Sequence, residues 1–465
     1  MNMKSLGVVI TDGVGFRNFI LTDFIHEAKQ QFDKVVILSC LPKFVYDDFN
    51  LDCEIIELQV FNEDFKTWFF RKAKDVAHLQ LYKKGNFGIQ DNLNINRTEV
   101  KSNRGYATRL IYSFTSIFHS EKWIQRLYYC QQLTFKHSAI SKEYHTILKE
   151  QNFDLLFFTH QRPTFIAPLI AAAEQLKIKT TAFIFSWDNL ASKGRMAGNF
   201  DTYLVWSELM KQELMFFYKS VQEKNINVVG TPQFEPFASE KFGYSKEHLI
   251  SKFKLDSNNP IVVFTCNDST SKNDPIYLEV LARFMEEKKL VKEINLIVRT
   301  SPAEDPDRFK HLIDKYPFIV WNFPDWTVKR KNHGESWSQR VPSKEDLDDL
   351  KSMLNHCDFN INVLSTITLD SFIFDKPVIN PVFGTKENGM YDDQRFFNYE
   401  HLSKLVDSNA SEIVKNEDEF LIALNNLLNE KDAKKRERTN FLTLQIGKPL
   451  EGTSKRIAEA LLKWA

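Results

Sequence analysis

The stretch Gly7–Ser39, GVVITDGVGFRNFILTDFIHEAKQQFDKVVILS, decides the fold. It opens on an apolar run, Gly7 to Thr11, which suits a strand covered on both faces. A turn at Gly13-Val14-Gly15 follows. Apolar residues at Phe19, Ile20, Phe24, Ile25, Ala28 and Phe32 then predict a helix over 19–32. A second apolar strand, Lys34–Ser39, comes next. Strand, helix and strand with short connections predict a parallel sheet with right-handed crossovers.

Working outward, the unit recurs. Strand Asp154–Thr159 is followed by a helix that Pro163 opens and by strand Thr180–Phe185. Strand Thr202–Trp206, helix Glu208–Tyr218 and strand Asn227–Val229 complete a first half. A linker near Gln233–Tyr244 leads to a second series. Its strands are Ile261–Thr265, Asn295–Arg299, Phe318–Trp321, Phe359–Val363 and Pro377–Asn380. Trp326–Val341 reads as a polar surface loop, and Asp346-Leu-Asp348 as the solvated face of helix Lys344–Asn355. The tail, Ser454–Trp464, is helical. The expected fold class is α/β, with two parallel-sheet halves facing a cleft: residues 1–235, then 245–445, with 446–465 as a closing helix.

Lys66–Lys149 differs from both halves. It carries 15 Lys+Arg against 5 Asp+Glu, with aromatics interleaved. It is expected to be an inserted helical region with a flexible stretch near Gly85–Ser102. A solvated surface is the plain reading; a basic face for an anionic membrane or a saccharide phosphate is the sharper one. The chain as a whole has 61 basic and 61 acidic residues, which gives no sign of a nucleic-acid partner. Five scattered cysteines without a C-x-x-C pair argue against a disulfide framework or a cysteine zinc site. With no leader-like start and no long apolar run, a cytoplasmic location is expected, peripheral at the inner membrane face if the basic face docks.

Ligands of parallel sheets bind at the carboxyl ends of strands, so the strand-end residues carry the functional reading. The first strand ends in Asp12, with Arg17 at the following helix start. His160 follows strand Asp154–Thr159. Ser186–Arg195, SWDNLASKGR, places Asp188 and Lys193 after strand Thr180–Phe185. In the second half, Asn267 and Ser269 follow strand Ile261–Thr265, and Arg299 closes its own strand. Ser365, Thr366 and Thr368 crowd three hydroxyls into four residues before Asp370. Free N–H groups and hydroxyls at such a turn suit a diphosphate, and a carboxylate one turn on suits ribose hydroxyls.

SWDNLASKGR, DTYLVWSELMKQEL (Asp201–Leu214) and VVGTPQFEPF (Val228–Phe237) resemble bacterial surface-carbohydrate glycosyltransferase-like proteins. These are related to the group of CDP-glycerol glycerophosphotransferases and UDP-N-acetylglucosamine 2-epimerases. STITLDSFIFDKPVINPVFG (Ser365–Gly384) is similar to the donor-binding element of GT-B glycosyltransferases. There Asp375 replaces a glycine and Asp370 stands where Glu is usual. Arg299-Thr-Ser-Pro is similar to the group's Arg-Pro-His-Pro element, without the histidine. The resemblance covers roughly residues 150–240 and 260–385.

The resemblance implies two Rossmann-like domains, a nucleotide-sugar donor on the second and a saccharide acceptor on the first. It implies no obligatory metal or cofactor, and a C-terminal helix that crosses back. On this reading Arg299, Ser365, Thr366 and Thr368 hold the donor phosphates and Asp370 holds ribose or the sugar. Asn267, Ser269 and Lys193 are further donor-site candidates. Asp188, His160 and Asp12, in that order, are candidates for a base. The donor is UDP-, CDP-, GDP-, TDP- or CMP-linked. A nucleotide-sugar epimerase and a non-catalytic saccharide-binding scaffold are the alternatives.

Overall fold

A computed structural model of the chain describes residues 3–465. The first half builds a parallel seven-stranded sheet. Its strands are β1 (Ser5–Ile10), β2 (Lys34–Ser39), β3 (Glu54–Glu57), β4 (Leu155–Phe158), β5 (Lys179–Phe183), β6 (Thr202–Val205) and β7 (Ile226–Val228). Their spatial order is 3-2-1-4-5-6-7. β1 and β4 are buried along their whole length. That is why they read as unbroken apolar runs rather than as alternating ones.

The second half builds a parallel six-stranded sheet from β8 (Ile261–Thr265), β9 (Asn295–Arg299), β10 (Val320–Asn322), β13 (Phe359–Ile361), β14 (Val378–Pro381) and β15 (Glu412–Val414). The order is 10-9-8-13-14-15. Between β10 and β13, β11 (Trp326–Val328) and β12 (Arg340–Pro342) pair antiparallel. In each sheet the strand order reverses beside the first strand: between β1 and β4, and between β8 and β13. These two switch points are where a parallel sheet leaves a crevice for a ligand.

Several expectations are corrected. The helix expected over 19–32 is two helices, Gly13–Phe19 and Phe24–Gln31. The first begins at the glycine pair itself, because the Asp12 carboxylate accepts the Gly15 N–H at 2.8 Å and caps it. Gly13 is there for space: a Cβ would lie 1.6 Å from the Arg340 carbonyl oxygen.

Trp326–Val341 is no surface loop. It forms the β11–β12 hairpin arm, which leans on the first half through Arg330–Glu57 (2.5 Å) and Thr164–Glu335 (3.1 Å). Asp346 is not on a solvated face either. It is 5% exposed and accepts hydrogen bonds from Arg299 and the Trp326 indole. Asp375, in the glycine's place, adopts φ +54°, and Arg438 holds its carboxylate at 2.7 Å. A short polar residue tolerates that left-handed conformation better than most.

The basic stretch folds as five helices: Phe65–Tyr82, Phe87–Ile95, Asn103–Ile117, Glu121–Phe135 and Ala139–Gln151. The second lies within the segment expected to be flexible, and Asn86 caps it by accepting the Ile89 N–H. The last helix, Thr453–Trp464, packs on Phe24–Gln31 of the first half. The Glu235 carboxylate accepts the Ser454 N–H at its start, at 3.0 Å.

Candidate active site

The carboxyl ends of the two sheets face each other across a cavity of about 490 Å³. From the first half come Arg17, Ser186, Trp187, Asp188 and Lys193. From the second come Asn267, Arg299, Ser365, Thr366 and Asp370. Sequence-distant strand ends thus converge on one space.

At the switch point of the second sheet, the turn after β13 is held from beneath. The Asn362 side-chain oxygen accepts the Ser365 N–H and the Thr368 hydroxyl, both at 3.0 Å. This fixes Leu364 at φ +43°, a strained value for a branched residue. Ser365 and Thr366 line the cavity; Thr368 is fully buried beneath them and does not. The Asn267 amide donates to the Val363 carbonyl at 2.6 Å and joins the loops after β8 and β13. Ser269 is exposed and outside the cavity lining.

Asp370 is buried at the back. Burial pushes its carboxyl up to about 7, against the opposing charges of Arg17 and Arg299. Arg299 is closely engaged. One guanidinium nitrogen, Nη2, reaches both oxygens of Asp346, at 2.9 and 2.8 Å, and the other, Nη1, donates to the Asn322 side-chain oxygen. Arg17 is looser: it donates to the Gln233 carbonyl at 3.2 Å, and its Nε is buried without a partner. Lys193 lies 3.3 Å from Asp188.

At the switch point of the first sheet, His160 Nδ1 lies 2.8 Å from Asp12 Oδ2. Asp12 also accepts the Thr11 hydroxyl on Oδ2 and the Gly15 N–H on Oδ1, each at 2.8 Å. Burial pushes this carboxyl up, but His160 and those donors outweigh it and leave its pKa lowered. The imidazole stacks on Phe185, ring centroids 3.8 Å apart, and the Trp337 ring of the hairpin arm lies 6.3 Å away. Neither Asp12 nor His160 is in the lining of the main cavity. Asp188 is a different kind of carboxylate. Burial raises it, yet Lys193, His401, Ser186 and Arg162 together hold it well below the usual range.

Sequence reading missed His401, which lines the cavity beside Trp187 and Asp188. Burial lowers its pKa to about 4, so it is neutral at pH 7, and its Nδ1 is buried without a partner. It lies in the short helix Glu400–Ser408, whose sequence carries no motif. A second chamber of about 330 Å³ shares Asp188, Lys193, Asn267 and His401 with the first. The inserted helix Phe87–Ile95 forms part of its wall, with Asp91 accepting the Tyr399 hydroxyl at 2.5 Å. Among the described residues no cluster of three His, Cys, Asp or Glu side chains is placed to hold a metal ion.

Two Rossmann-like parallel sheets facing a shared cleft define a GT-B fold. The chain matches a glycosyltransferase structure from Rickettsia africae with TM-score 0.52 and 13% identity, covering 100% of this chain and 99% of that one. It matches a UDP-GlcNAc 2-epimerase from Methanocaldococcus jannaschii with TM-score 0.53 and 11% identity over 99% of both chains. A third match is UDP-GlcNAc 2-epimerase from Neisseria meningitidis bound to UDP-GlcNAc, with TM-score 0.52 and 12% identity over 99% of this chain and 100% of that one. At such identities the likeness is one of fold. No protein-family model matches the chain, and no curated protein does.

Proposed function

We propose that the protein is a glycosyltransferase that moves a sugar from a nucleotide-activated donor to a surface-glycan or lipid-linked saccharide acceptor. The observation that carries this reading is the pairing of two switch points. A hydroxyl-rich turn, Ser365–Thr366, belongs to one, and a buried carboxylate–imidazole pair, Asp12–His160, to the other. The first suits a nucleoside diphosphate on the second domain. The second suits an acceptor hydroxyl on the first.

In this mechanism Asp12 accepts a hydrogen bond from His160 Nδ1–H and keeps Nε2 as the basic nitrogen. Nε2 takes the acceptor proton as the hydroxyl attacks the sugar carbon. Asp12 has its oxygens occupied and acts through His160. Asp188 is held as an anion by Lys193, the Ser186 hydroxyl and Arg162, which makes it a weak base and a good partner for sugar hydroxyls. Charge developing on the leaving diphosphate meets Arg17, Lys193 and the Ser365 and Thr366 hydroxyls. Arg299, paired with Asp346, shapes this wall from behind. Asp370 faces the ribose.

Thermal stability against UDP, CDP, GDP, TDP and CMP tests the donor site. A ligand at about 100 times its dissociation constant adds roughly 2.7 kcal/mol. One nucleotide is expected to raise the melting temperature, and an unchanged melt with all five would remove the donor site. Epimerisation is the second reading, favoured by the two epimerases of like fold. It requires UDP-N-acetylglucosamine to be converted with no acceptor present, which the transferase reading excludes.

A further inference from the structure

The inserted helices leave an outer face that the cleft does not use. Helix Asn103–Ile117 exposes Tyr106 (58%), Leu110 (61%) and Ile117 (73%) along one stripe. Helix Glu121–Phe135 exposes Tyr129 (62%) and Leu133 on a stripe that also carries Lys122 and Arg126. Arginines lie over aromatic rings across this face: Arg104 over Trp68, Arg109 over Tyr106, Arg126 over Trp123. None of those three arginines has a carboxylate partner among the described residues. Trp123 also packs on Phe114 and Phe118, which joins the two helices at one end.

Beside the stripe lies a cavity of about 390 Å³, lined by Lys83, Arg97 and Arg109, by several serine and threonine hydroxyls, and by one carboxylate, Glu99. Three cations outweigh the one carboxylate, and with the hydroxyls around them they offer a phosphate-binding chemistry. The Tyr112 hydroxyl donates to the Leu93 carbonyl at 2.6 Å, which ties this face to the inserted helix that walls the second chamber.

We propose that this face docks on an anionic lipid bilayer, its aliphatic and aromatic side chains entering the headgroup layer and a lipid phosphate occupying the Arg97–Arg109 cavity. Charge complementarity selects the partner: the insert has an excess of ten positive charges in a chain of zero net charge. Exposed Leu110 and Ile117 argue against nucleic acid, whose backbone offers nothing apolar to cover them. The docked orientation sets the second chamber near the lipid surface, as a lipid-linked acceptor would need; that last point alone rests on the transferase reading.

The test is co-sedimentation of the full chain with vesicles and needs no turnover. Vesicles of phosphatidylcholine with a minority of phosphatidylglycerol are expected to bind it, and added salt to release it. Phosphatidylcholine alone is expected to bind far less. Arg109→Glu with Arg126→Glu should cut partitioning by roughly 25-fold or more, about fivefold for each cation lost. Leu110→Ser with Ile117→Ser should weaken binding at low salt while the melting temperature stays unchanged. Equal binding to neutral and anionic vesicles, no binding to either, or full binding by both double variants would overturn the proposal. So would retention on a duplex oligonucleotide with no retention on vesicles.

Discussion

The Trp187 indole N–H donates to the Thr366 hydroxyl at 3.1 Å, and so joins the strand-end segment of one half to the Ser365–Thr366 turn of the other. The indole is buried, packed against His401 and Phe441. Trp187→Phe keeps most of that packing and removes the bond. A neutral hydrogen bond contributes about 1 kcal/mol, so stability in denaturant should fall by about that amount. Nucleotide affinity should fall with it, since Thr366 loses its anchor.

His160→Ala should lower turnover by about 10²–10⁴-fold while leaving nucleotide affinity unchanged, as expected for a base that touches only the acceptor. Asp12→Asn should lower turnover as well. It should also change acid stability. The lowered pKa of Asp12 contributes stability that is present above its unfolded value, about 4, and is lost as pH falls through the folded one. Melting curves across that acid range should therefore be flatter for the variant.

Arg299→Ala should cost about 3–5 kcal/mol of stability, because it strands the buried Asp346 carboxylate without its cation. Arg299→Lys should recover only part of this, since one ammonium cannot replace both the nitrogen on Asp346 and the one on Asn322. Urea unfolding of the two variants separates this from a loss confined to nucleotide binding.

Asp274 gives a pH dependence of opposite sign. Burial pushes its carboxyl up to about 8, against Arg308 and the Asn267 N–H. A carboxyl raised in the folded state binds its proton more tightly there. Stability from this group is thus full below about pH 4 and declines as pH rises toward 8. Every tenfold difference in proton affinity between the folded and unfolded chain is worth about 1.4 kcal/mol. Asp274→Asn should remove the decline and make the protein more stable than the parent at mildly alkaline pH, as thermal melts across that range would read.

Much of this architecture was legible because parallel strands are apolar on both faces. DLLFFT and KVVILS announce themselves, and the residues that follow them converge on the cleft. The β11–β12 hairpin was not legible. Its strands have three residues each, and WTVKRKNHGESWSQRVP has neither an alternating nor a helical period; contacts from the other half hold it. Asp346 was misread for a related reason. On its own helix it looks like any acidic surface residue, and partners outside that helix, Arg299 47 positions earlier and the Trp326 indole, make it interior. His401 has no local signal at all. The pairing of Asp12 with His160 needed the strand order, since 148 residues separate them.

The hairpin arm has a consequence for motion. Arg340 presses its carbonyl against Gly13 on one rim of the cleft, while the closing helix Thr453–Trp464 clasps the first half elsewhere. The two halves are thus joined at separate places. Widening the cleft on that side must part the arm from the Gly13 turn, and amide exchange along Trp326–Pro342 would report each parting.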